Sequence, residues 1–452
     1  MARWSYPEAL DALWQRSAYE RGVVVDPFGQ DAAPDLGLVR TRCLLDAWGG
    51  LPLPFKTIHI AGSKGKGSSS AFAASVLVAG GVRTGLYTSP HIHTIRERIS
   101  TDGRPISEEA FADLAQRAIG RALLVERADP ALGRLTAFEI TTAMALKHFG
   151  ERGCAVAVVE VGLGGALDAT NVVDGDVSVI TLLDYEHTGV LGATLAAIAA
   201  SKAGIIKAGR PVVSASQAPE ALEVIEDTAA QRRAPLRLAD RDWTFSGGWR
   251  SFRISGPWGE LVALRSGLIG DHQVDNAANA VAALWALGAG SFPVVASAVR
   301  DGIAAVAWPG RYEVINRGST RVVLDGAHSP ASARALARTI EQEERGRRVV
   351  VVLGMLDDKD AVAFALGLRP VAARFVATAT PHPRSVAPGV LSEALRKAEV
   401  LGETAPTVNA ALGSAIAAAG QGGTVVVTGS LTTVAEARER LGVGRSDPGL
   451  AG

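Results

Sequence analysis

The chain is 452 residues long and 48% hydrophobic, which is enough to bury large cores and suggests two or three domains. Lysine plus arginine and aspartate plus glutamate each number 46, so no overall field attracts nucleic acid or an anionic membrane. The composition therefore favours an enzyme that acts on small molecules and builds any anion site locally.

The N-terminus and the cysteines bear on location. The opening stretch "MARWSYPEALDALWQRS" carries charges and lacks the apolar block of a signal peptide, and no apolar run reaches the roughly 18 residues of a membrane helix. Cys43 and Cys154 lie far apart in the sequence and fit no metal or redox spacing. We therefore expect a soluble, cytoplasmic protein with two buried thiols and no disulfide scaffold.

The first element with a chemical signature is the stretch "IHIAGSKGKGS", residues 58–68. A strand followed by a glycine-rich turn and a helix start can hold an anion, because amide groups and the helix dipole converge there. Lys66 would supply positive charge and Ser68 a hydroxyl. Gly67 separates these two residues, so the spacing departs from the usual phosphate-loop pattern. A flexible surface turn stays open as an alternative.

Short β-branched runs then alternate with Ala/Leu-rich segments of helical period. The runs are "TIHIAG", "CAVAVVEVG", "VSVITLL" and "RPVVSAS". This alternation predicts a parallel sheet with helices on both faces, the doubly wound α/β class. The stretch "WTFSGGWRSFRISGPWGELVALRS" is rich in aromatic and turn residues, which predicts antiparallel hairpins attached to this first domain.

A second series of strands begins after "AWPGRYEVI" and includes "TRVVLDG", "RRVVVVLGML", "RFVATAT" and "GTVVVTGS". It predicts a smaller parallel sheet of its own. Because Pro309-Gly310 would break a helix, we place the domain boundary there. The predicted domains are residues 1–308 and 309–440, followed by a disordered tail over 441–452.

Nine motifs follow the glycine loop in a fixed order. They are "GLYTSPHIHTIRERIS" (85–100), "LTAFEITTAMA" (135–145), "VVEVGLGGALDATN" (158–171), "LLDYEHTGVLGATLAAIAASKAGIIK" (182–207), "GDHQVDNAANAVAAL" (270–284), "WPGRYEVI" (308–315), "LDGAHSP" (324–330), "LGMLDDKD" (353–360) and "TGSLTTVAEAR" (428–438). From about Gly37 to about Arg438, the ordered set resembles the folylpolyglutamate synthase/dihydrofolate synthase family of the Mur ligase superfamily.

The resemblance implies an architecture and a reaction. The large domain would be a P-loop-like ATPase domain with a pterin-binding N-terminal segment, and the small one would be Rossmann-like. The reaction would be ATP-dependent amide ligation, in which a folate or dihydropteroate carboxylate becomes an acyl phosphate that the amino group of L-glutamate attacks. Such an enzyme would serve folate biosynthesis, polyglutamylation and one-carbon metabolism, and the family expectation is a monomer.

The resemblance also implies nucleotide-binding residues in both domains. Arg311 suits phosphate oxygens through paired contacts, and an acidic residue at a strand end suits ribose hydroxyls. Read without the resemblance, each of these positions is ordinary loop polarity. The implied ATP-binding set is Gly62, Ser63, Lys64, Gly65, Lys66, Gly67, Ser68, Asn276, Arg311, Asp325 and His328.

The implied metal and catalytic residues lie in three motifs of the first domain. Ser89, Glu160 and His187 match the family's Mg²⁺ ligands, and Glu160 also ends a strongly apolar strand, where α/β sheets place ligands. Lys202 matches a lysine that the family carbamylates, which would convert a cation into a carboxylate able to hold a second ion. Glu160, His187 and Lys202 are the predicted catalytic residues. Singly, each could be a turn, a strand-end carboxylate or a solvated helix residue.

The implied acid-substrate residues are Asp35, Phe138 and Asp168. Asp35 and Phe138 fall where the family binds dihydropteroate, as a hydrogen-bonding carboxylate and a stacking ring. Phe138 could instead be a core residue. Whether the enzyme would make dihydrofolate, add later glutamates or do both stays open.

Six positions depart from the family pattern and keep two other functions open. The family usually has Asn at the position of Lys64, Arg at that of Ala166 and Asp at that of Glu186. It usually has Glu at the position of Ser201, Asn at that of Ser329 and Tyr at that of Thr432. Ala166 and Ser329 each lose a donor that could recognise a carboxylate. One alternative is therefore a related ATP-dependent ligase for a different acid and amino acid. The other is a nucleotide-binding protein without ligase activity.

Overall fold

We describe the protein from a computed structural model, in residues 3–17, 35–50, 53–288 and 295–448. The chain divides into two compact units. The first unit comprises Met1–His91, Ile95–Gly267 and Gln273–Val306, and the second comprises Ile92–Thr94, Leu268–His272 and Ala307–Gly452. Within the described ranges, no helix combines the length and the apolar composition needed to cross a membrane.

The described elements up to Ala305 build the first unit. Its helices are α1 (Tyr6–Trp14), α2 (Leu36–Asp46), α3 (Lys66–Ala79), α4 (Glu108–Ala128), α5 (Ala137–Glu151), α6 (Thr188–Leu191), α7 (Leu195–Ala203), α8 (Pro219–Gln231), α9 (His272–Gly288) and α10 (Ala296–Ala305). Its strands are β1 (Lys56–Ala61), β2 (Thr84–Tyr87), β3 (Ile99–Thr101), β4 (Arg104–Pro105), β5 (Val156–Glu160), β6 (Val177–Ile180), β7 (Val212–Ser214), β8 (Leu236–Leu238), β9 (Thr244–Gly248), β10 (Ser251–Gly256) and β11 (Gly259–Leu264).

The main sheet of this unit has the order β4-β3-β2-β5-β1-β6-β7-β8. The six strands from β2 to β8 in this order run parallel, and β3 and β4 add an antiparallel edge that the sequence did not predict. The core on one face includes residues of α1, α4 and α5, the core on the other includes residues of α7 and α8, and α3 contacts β2 and β5. The predicted doubly wound sheet is therefore confirmed, and its apolar strands are apolar because both faces are covered.

Strands β9, β10 and β11 form a separate antiparallel sheet, which confirms the predicted hairpins. Of the two cysteines, Cys154 is buried as predicted, and burial raises the pKa of its thiol to about 11. Cys43 is only partly buried, so the prediction that both thiols are buried is wrong for this residue. Both cysteines are free.

The second unit contains β12 (Glu313–Arg317), β13 (Thr320–Leu324), β14 (Val349–Leu353), β15 (Arg374–Ala377), β16 (Gly402–Thr404) and β17 (Thr424–Thr428). Its helices are α11 (Pro330–Glu343), α12 (Ala361–Leu368), α13 (Pro388–Lys397), α14 (Val408–Ala419) and α15 (Leu431–Arg440). The sheet order is β12-β13-β17-β14-β15-β16, parallel except at β12. Helices α11 to α13 cover one face, and α14 and α15 cover the other.

The unit boundary is more complex than the single cut predicted near Pro309-Gly310. The chain changes unit at Val306/Ala307, and two earlier segments also belong to the second unit. Residues 441–448 differ from the predicted disordered tail, because Asp447 is buried and its N–H donates to His93 O over 2.9 Å. Such long-range contacts leave no mark in local sequence patterns. The last predicted tail residues, 449–452, lie outside the described residues.

The packing of α10 on α3 requires a glycine at position 302. A Cβ on Gly302 would lie 2.4 Å from Val76 Cα, whereas a Cβ on Gly120, inside α4, would have nothing within 4 Å. Gly302→Ala and Gly120→Ala share the same gain in helix propensity. The difference between their free energies of unfolding therefore measures the clash at position 302. We expect Gly302→Ala to be about 1–3 kcal/mol less stable than Gly120→Ala. Urea unfolding of both variants measures it, and equal midpoints would contradict this packing.

Candidate active site

The glycine loop is a tight turn between β1 and α3, shaped by its neighbours. Gly62 has φ +153° and Gly65 φ +88°. A Cβ on Gly62 would lie 1.8 Å from Thr181 Oγ1, and one on Gly65 would lie 2.1 Å from Asn276 Oδ1. Only glycine fits at both positions. The turn leads directly into the N-terminus of α3, where amide groups and the helix dipole favour an anion.

The end of β6 holds the loop from behind. The N–H groups of Ser63 and Lys64 both donate to Leu182 O, over 3.0 and 2.9 Å. Ser63 Oγ also donates to Asp184 O over 2.9 Å. Gly67 and Ser68 follow in the first turn of α3, and the Ser68 side chain is buried. The predicted phosphate-binding residues thus form one ordered turn.

Two lysine side chains converge on the carbonyl of Gly62. Lys66 Nζ donates to Gly62 O over 3.0 Å, and Lys202 Nζ from the last turn of α7 donates to the same atom over 2.8 Å. Lys202 is only 2% exposed. Burial, and then the nearby positive charge of Lys66, lowers the pKa of Lys202 to about 7. A substantial fraction of this amine is therefore unprotonated at neutral pH.

Two of the predicted metal ligands, Ser89 and Glu160, lie at or just beyond strand ends of the same sheet. Glu160 is the last residue of β5, lies opposite Ile60 of β1 and is 4% exposed. Its Oε2 accepts the N–H of Ser89 over 3.2 Å, which brings together two of the predicted ligands. His187 precedes α6 with φ +51°, and its Nε2 lies 3.4 Å from Glu186 Oε1.

These residues can be compared with the needs of the Mg²⁺ ion that the resemblance implies. Within the described ranges, no group of three or more His, Cys, Asp and Glu side chains is arranged to hold a metal ion by itself. The predicted set instead contains one carboxylate, one hydroxyl and one imidazole. Mg²⁺ usually takes one or two protein ligands and completes its octahedron with phosphate oxygens and water. A buried carboxylate beside a phosphate loop fits this use.

Asn276, the predicted nucleotide residue of α9, lies against the loop. Its side chain is 8% exposed, and its Nδ2 donates to Gln273 Oε1 over 2.9 Å. The Oδ1 atom of Asn276 occupies the space into which a side chain at position 65 would point. Asn276 therefore contacts the loop and also restricts its conformation. The sequence did not predict this shaping role, and it did not predict the matching role of Thr181.

The predicted acid-substrate residues lie at two helix starts and in one loop. Asp35 is the N-cap residue of α2 and is exposed, with no side-chain capping bond. Phe138, in the first turn of α5, has its ring edge 2.4 Å from where a Cβ on Gly162 would be, and its centroid lies 6.2 Å from that of Tyr87. Phe138 is partly buried and packs on the core, so it is both a core residue and an accessible ring.

A buried ion pair joins these two helix starts. Arg40 of α2 donates to both carboxylate oxygens of Glu139 in α5, from Nη2 over 2.6 Å and from Nε over 2.9 Å. Both side chains are about as buried as core residues, at 4% and 6% exposed. Glu139 also caps α5 by accepting the N–H of Thr136. Sequence reasoning missed this pair, because nothing local links residues 99 positions apart.

Asp168 turns inward and organises its own loop. Its Oδ2 accepts the N–H of Leu163 over 2.9 Å, and its Oδ1 accepts the N–H of Thr170 over 2.9 Å. Burial raises the pKa of Asp168, although these hydrogen bonds oppose the rise. The hydroxyl of Thr170 bridges the carboxylate to His59 Nε2. The structure therefore gives Asp168 a loop-holding role, and its predicted contact with substrate stays a prediction.

In the second unit, Arg311, Asp325 and His328 lie in two adjoining loops. Asp325 follows β13 and accepts the N–H groups of Tyr312 over 2.8 Å and Ala327 over 2.9 Å. Arg311 Nη1 donates to Gly310 O over 3.0 Å, and His328 Nδ1 lies 2.8 Å from Gly326 O. These three predicted nucleotide residues are thus brought together within this unit.

Tyr312 anchors this part of the second unit and was missed by sequence reasoning. It adopts the left-handed region at φ +46°, which is strained for a bulky residue. Its ring is buried, and its hydroxyl donates to Glu344 Oε1 over 3.1 Å. Burial, and then the negative charge of Glu344, raises the pKa of Tyr312. The residue next to Arg311 is therefore pinned at both its backbone and its side chain.

The first unit has a glycine loop suited to an anion on a doubly wound sheet. The second unit has an arginine, an aspartate and a histidine close together at its own sheet. This combination defines a nucleotide-dependent α/β enzyme. The family model "Mur ligase middle domain" matches residues 60–284, and the model "Mur ligase, glutamate ligase domain" matches residues 310–431.

Curated and solved relatives narrow the class. The dihydrofolate synthase/folylpolyglutamate synthase of Escherichia coli is 35% identical over 414 residues, covering 91% of this chain and 93% of the relative. A solved folylpolyglutamate synthase of Mycobacterium tuberculosis, complexed with ADP and AMPPCP, has 32% identity and a TM-score of 0.86, covering 96% of this chain and 99% of that one. The chain belongs to the folylpolyglutamate synthase/dihydrofolate synthase family of Mur ligases.

Some relatives are longer than this chain. A probable bifunctional folylpolyglutamate synthase/dihydropteroate synthase of Halobacterium salinarum is 38% identical over 392 residues, which cover 85% of this chain but 46% of that protein. The chain therefore spans about half the length of this relative, while it spans nearly all of the Escherichia coli one.

The lowered pKa of Lys202 predicts a pH dependence of stability. Between the folded value of about 7 and the ordinary value of 10.5, the unfolded chain binds a proton that the folded chain does not. Stability from this residue therefore rises with pH across that window, and the cost of burying the charge is fully present below it. Relative to Lys202→Met, the unmodified protein should gain stability between about pH 7 and about pH 10.

Urea unfolding in CO₂-depleted, EDTA-containing buffer measures this effect. Removing CO₂ and metal keeps Lys202 as a free amine in both the folded and the unfolded protein. Parallel stability curves for the two proteins across this pH range would show that the amine is not desolvated as described.

Proposed function

We propose that this chain is an ATP-dependent ligase that joins L-glutamate to the carboxylate of dihydropteroate or a folate. The observation that carries the proposal is the convergence of Lys66 and Lys202 on the carbonyl of Gly62, beside the buried carboxylate of Glu160. Of these groups, Lys66 and the amide groups at the start of α3 suit a phosphoryl group that is being transferred. The acid and amino acid come from relatives named as dihydrofolate and folylpolyglutamate synthases.

The reaction proceeds in two displacements. A carboxylate oxygen of the acid attacks the γ-phosphorus, the bond from that phosphorus to the bridging oxygen breaks, and ADP leaves. The glutamate nitrogen then attacks the acyl carbon and loses a proton, and inorganic phosphate leaves. Both steps spread negative charge over phosphoryl oxygens, which the α3 N-terminus and Lys66 are placed to stabilise.

Ser89, Glu160 and His187 would hold Mg²⁺, which when bound neutralises phosphate charge. A solved family member with Mn, AMPPNP and L-glutamate bound supports the use of a divalent ion with nucleotide. The unprotonated amine of Lys202 is the form that adds CO₂, since its nitrogen forms the new bond and loses a proton to give an anionic carbamate. Carbamylation of Lys202 stays a prediction, for which NMR with ¹³C-labelled bicarbonate is the direct measurement.

Asp35 and Phe138 would bind the pterin end of the acid, as hydrogen-bonding group and stacking ring. The Arg40–Glu139 pair supports this role, because it fixes the starts of α2 and α5 on which the two residues lie. Arg311, Asp325 and His328 would also bind nucleotide, and Arg311 is held beside the anchored Tyr312.

We further propose that the enzyme acts as a monomer in the cytoplasm, without nucleic-acid or membrane partners. The equal numbers of acidic and basic residues support this view, because they provide no general attraction to polyanions. Light scattering at the mass of two chains would contradict the monomer, and recovery in a membrane fraction would contradict the location.

The substrate assignment predicts strict co-dependence. Sustained ADP formation should require ATP, Mg²⁺, glutamate and either a pteroate or a reduced folate together, because without the amine the first displacement releases at most one ADP per enzyme and the acyl phosphate is not consumed. A phosphate-release screen of acids against amino acids measures this and separates dihydrofolate synthesis from later glutamate additions. Turnover with another acid but none with a pterin would replace the folate assignment by the related ligase.

Removal of the Glu160 charge tests the metal assignment. Glu160→Gln keeps the size of the side chain but removes a charged oxygen ligand, so we expect the Mg²⁺ concentration for half-maximal activity to rise about tenfold or more. The Mg²⁺ dependence of ADP release measures the change. Glu97→Gln, which alters a carboxylate in the 3₁₀ helix Ile95–Arg98 outside the predicted site, is the control. An unchanged Mg²⁺ requirement would remove Glu160 from the metal site.

A further inference from the structure

Lys64 belongs to the phosphate loop, but its ammonium group is directed to a carboxylate. Its Nζ lies 3.2 Å from Glu186 Oε2, and the two side chains are 19% and 12% exposed. Lys66 and Lys202, by contrast, both donate to Gly62 O. The third lysine of the loop region therefore has a different electrostatic partner, and its charge is balanced within the protein.

The backbone keeps this ion pair in register. The N–H of Lys64 donates to Leu182 O, and the hydroxyl of Ser63 donates to Asp184 O. These bonds tie the loop to the segment that carries Glu186. A half-buried pair whose two backbones are joined loses less side-chain entropy than an exposed pair, so it holds a defined geometry.

Glu186 has a second neighbour on its other oxygen. Its Oε1 lies 3.4 Å from His187 Nε2, and His187 is held at φ +51°. A carboxylate beside one ring nitrogen of a histidine fixes the tautomer and ring orientation, and it leaves the other nitrogen to serve as a ligand. A continuous line of contacts thus runs from Lys64 through Glu186 to the imidazole.

We propose that Lys64 is a positioning residue, which fixes Glu186 so that Glu186 can orient the imidazole of His187 toward a bound divalent cation. The sequence suggested that Lys64 binds the nucleotide phosphates directly. In this proposal it does not. The inference rests on the proposed function in one respect, the assignment of His187 as a metal ligand. Its geometry rests only on contacts within the first unit.

A charge-neutral double variant separates the two roles of Lys64. Removing Lys64 alone would leave an unbalanced carboxylate that repels phosphate and attracts metal, so its effects would be mixed. Lys64→Met with Glu186→Gln removes the pair and leaves the net charge unchanged. A phosphate-binding Lys64 and a positioning Lys64 then give opposite results in two binding measurements.

The measurements are ADP affinity in EDTA and Mn²⁺ affinity of the ADP complex, both by titration calorimetry. For the double variant we expect ADP affinity without metal to stay within about twofold, because no phosphate ligand is lost. We expect Mn²⁺ affinity to fall about tenfold, the usual effect of removing a carboxylate that orients a metal-ligating histidine. Glu186→Gln alone should weaken Mn²⁺ binding in the same direction.

Two further variants serve as controls. Arg253→Met with Glu260→Gln removes an ion pair of 3.5 Å between β10 and β11, also without a change in net charge, and should alter neither affinity. Lys66→Met should weaken ADP binding in EDTA, because Lys66 is a proposed phosphate ligand. Circular dichroism melting identifies a variant that does not fold, in which case Glu186→Gln alone carries the test.

Three outcomes would overturn the inference. A loss of ADP affinity without loss of Mn²⁺ affinity would make Lys64 a phosphate ligand. No change in either would make the pair a passive surface contact, and equal loss of both would indicate general disruption of the loop. These are binding measurements, so they stand if folate is the wrong acid, whereas a wild-type protein that binds ADP and Mn²⁺ but turns over no pterin would contradict only the proposed function.

Discussion

The geometry of the site depends on how closely the glycine loop approaches the end of β6 and the start of α9. Thr181 Oγ1 and Asn276 Oδ1 occupy the positions that side chains at 62 and 65 would take, and Leu182 O binds two successive N–H groups of the loop. Contacts within the protein therefore hold the loop in shape. Preorganisation of this kind lets the amide groups at the start of α3 meet an anion with little reorganisation.

The same closeness concentrates positive charge. Lys66 and Lys202 share one carbonyl, and burial, followed by the charge of Lys66, lowers the pKa of Lys202 to about 7. A protein that only needed stability would place an apolar residue at position 202, since desolvating a lysine is expensive. A lysine buried at this cost is a candidate functional residue, and an anionic nucleotide would offset its remaining charge.

Elements that depend on a local sequence pattern were predicted correctly. Contacts between residues far apart in the sequence were missed. Apolar strands with interposed helices were enough for the doubly wound sheet, and a strand-turn-helix with glycines was enough for the loop. Partners far apart in the sequence were not predictable: Arg40 with Glu139, Tyr312 with Glu344, and Lys64 with Glu186. The antiparallel edge strands β3 and β4 were also missed, because they are too short for an alternating pattern to develop.

The structure shows that some of the residues that depart from the family pattern contact one another. Lys64 and Glu186 form one ion pair, and the N–H of Ala166 donates to Ser201 O over 2.8 Å, so four of the six departures are two contacting pairs. In each pair both partners differ from the usual residues, and the two together carry no net charge. The Lys64–Glu186 pair balances its own charge, whereas the bond from Ala166 N–H to Ser201 O joins backbone atoms and does not depend on either side chain. The departures at Lys64 and Glu186 are therefore explained by their contact with each other and need no change of substrate.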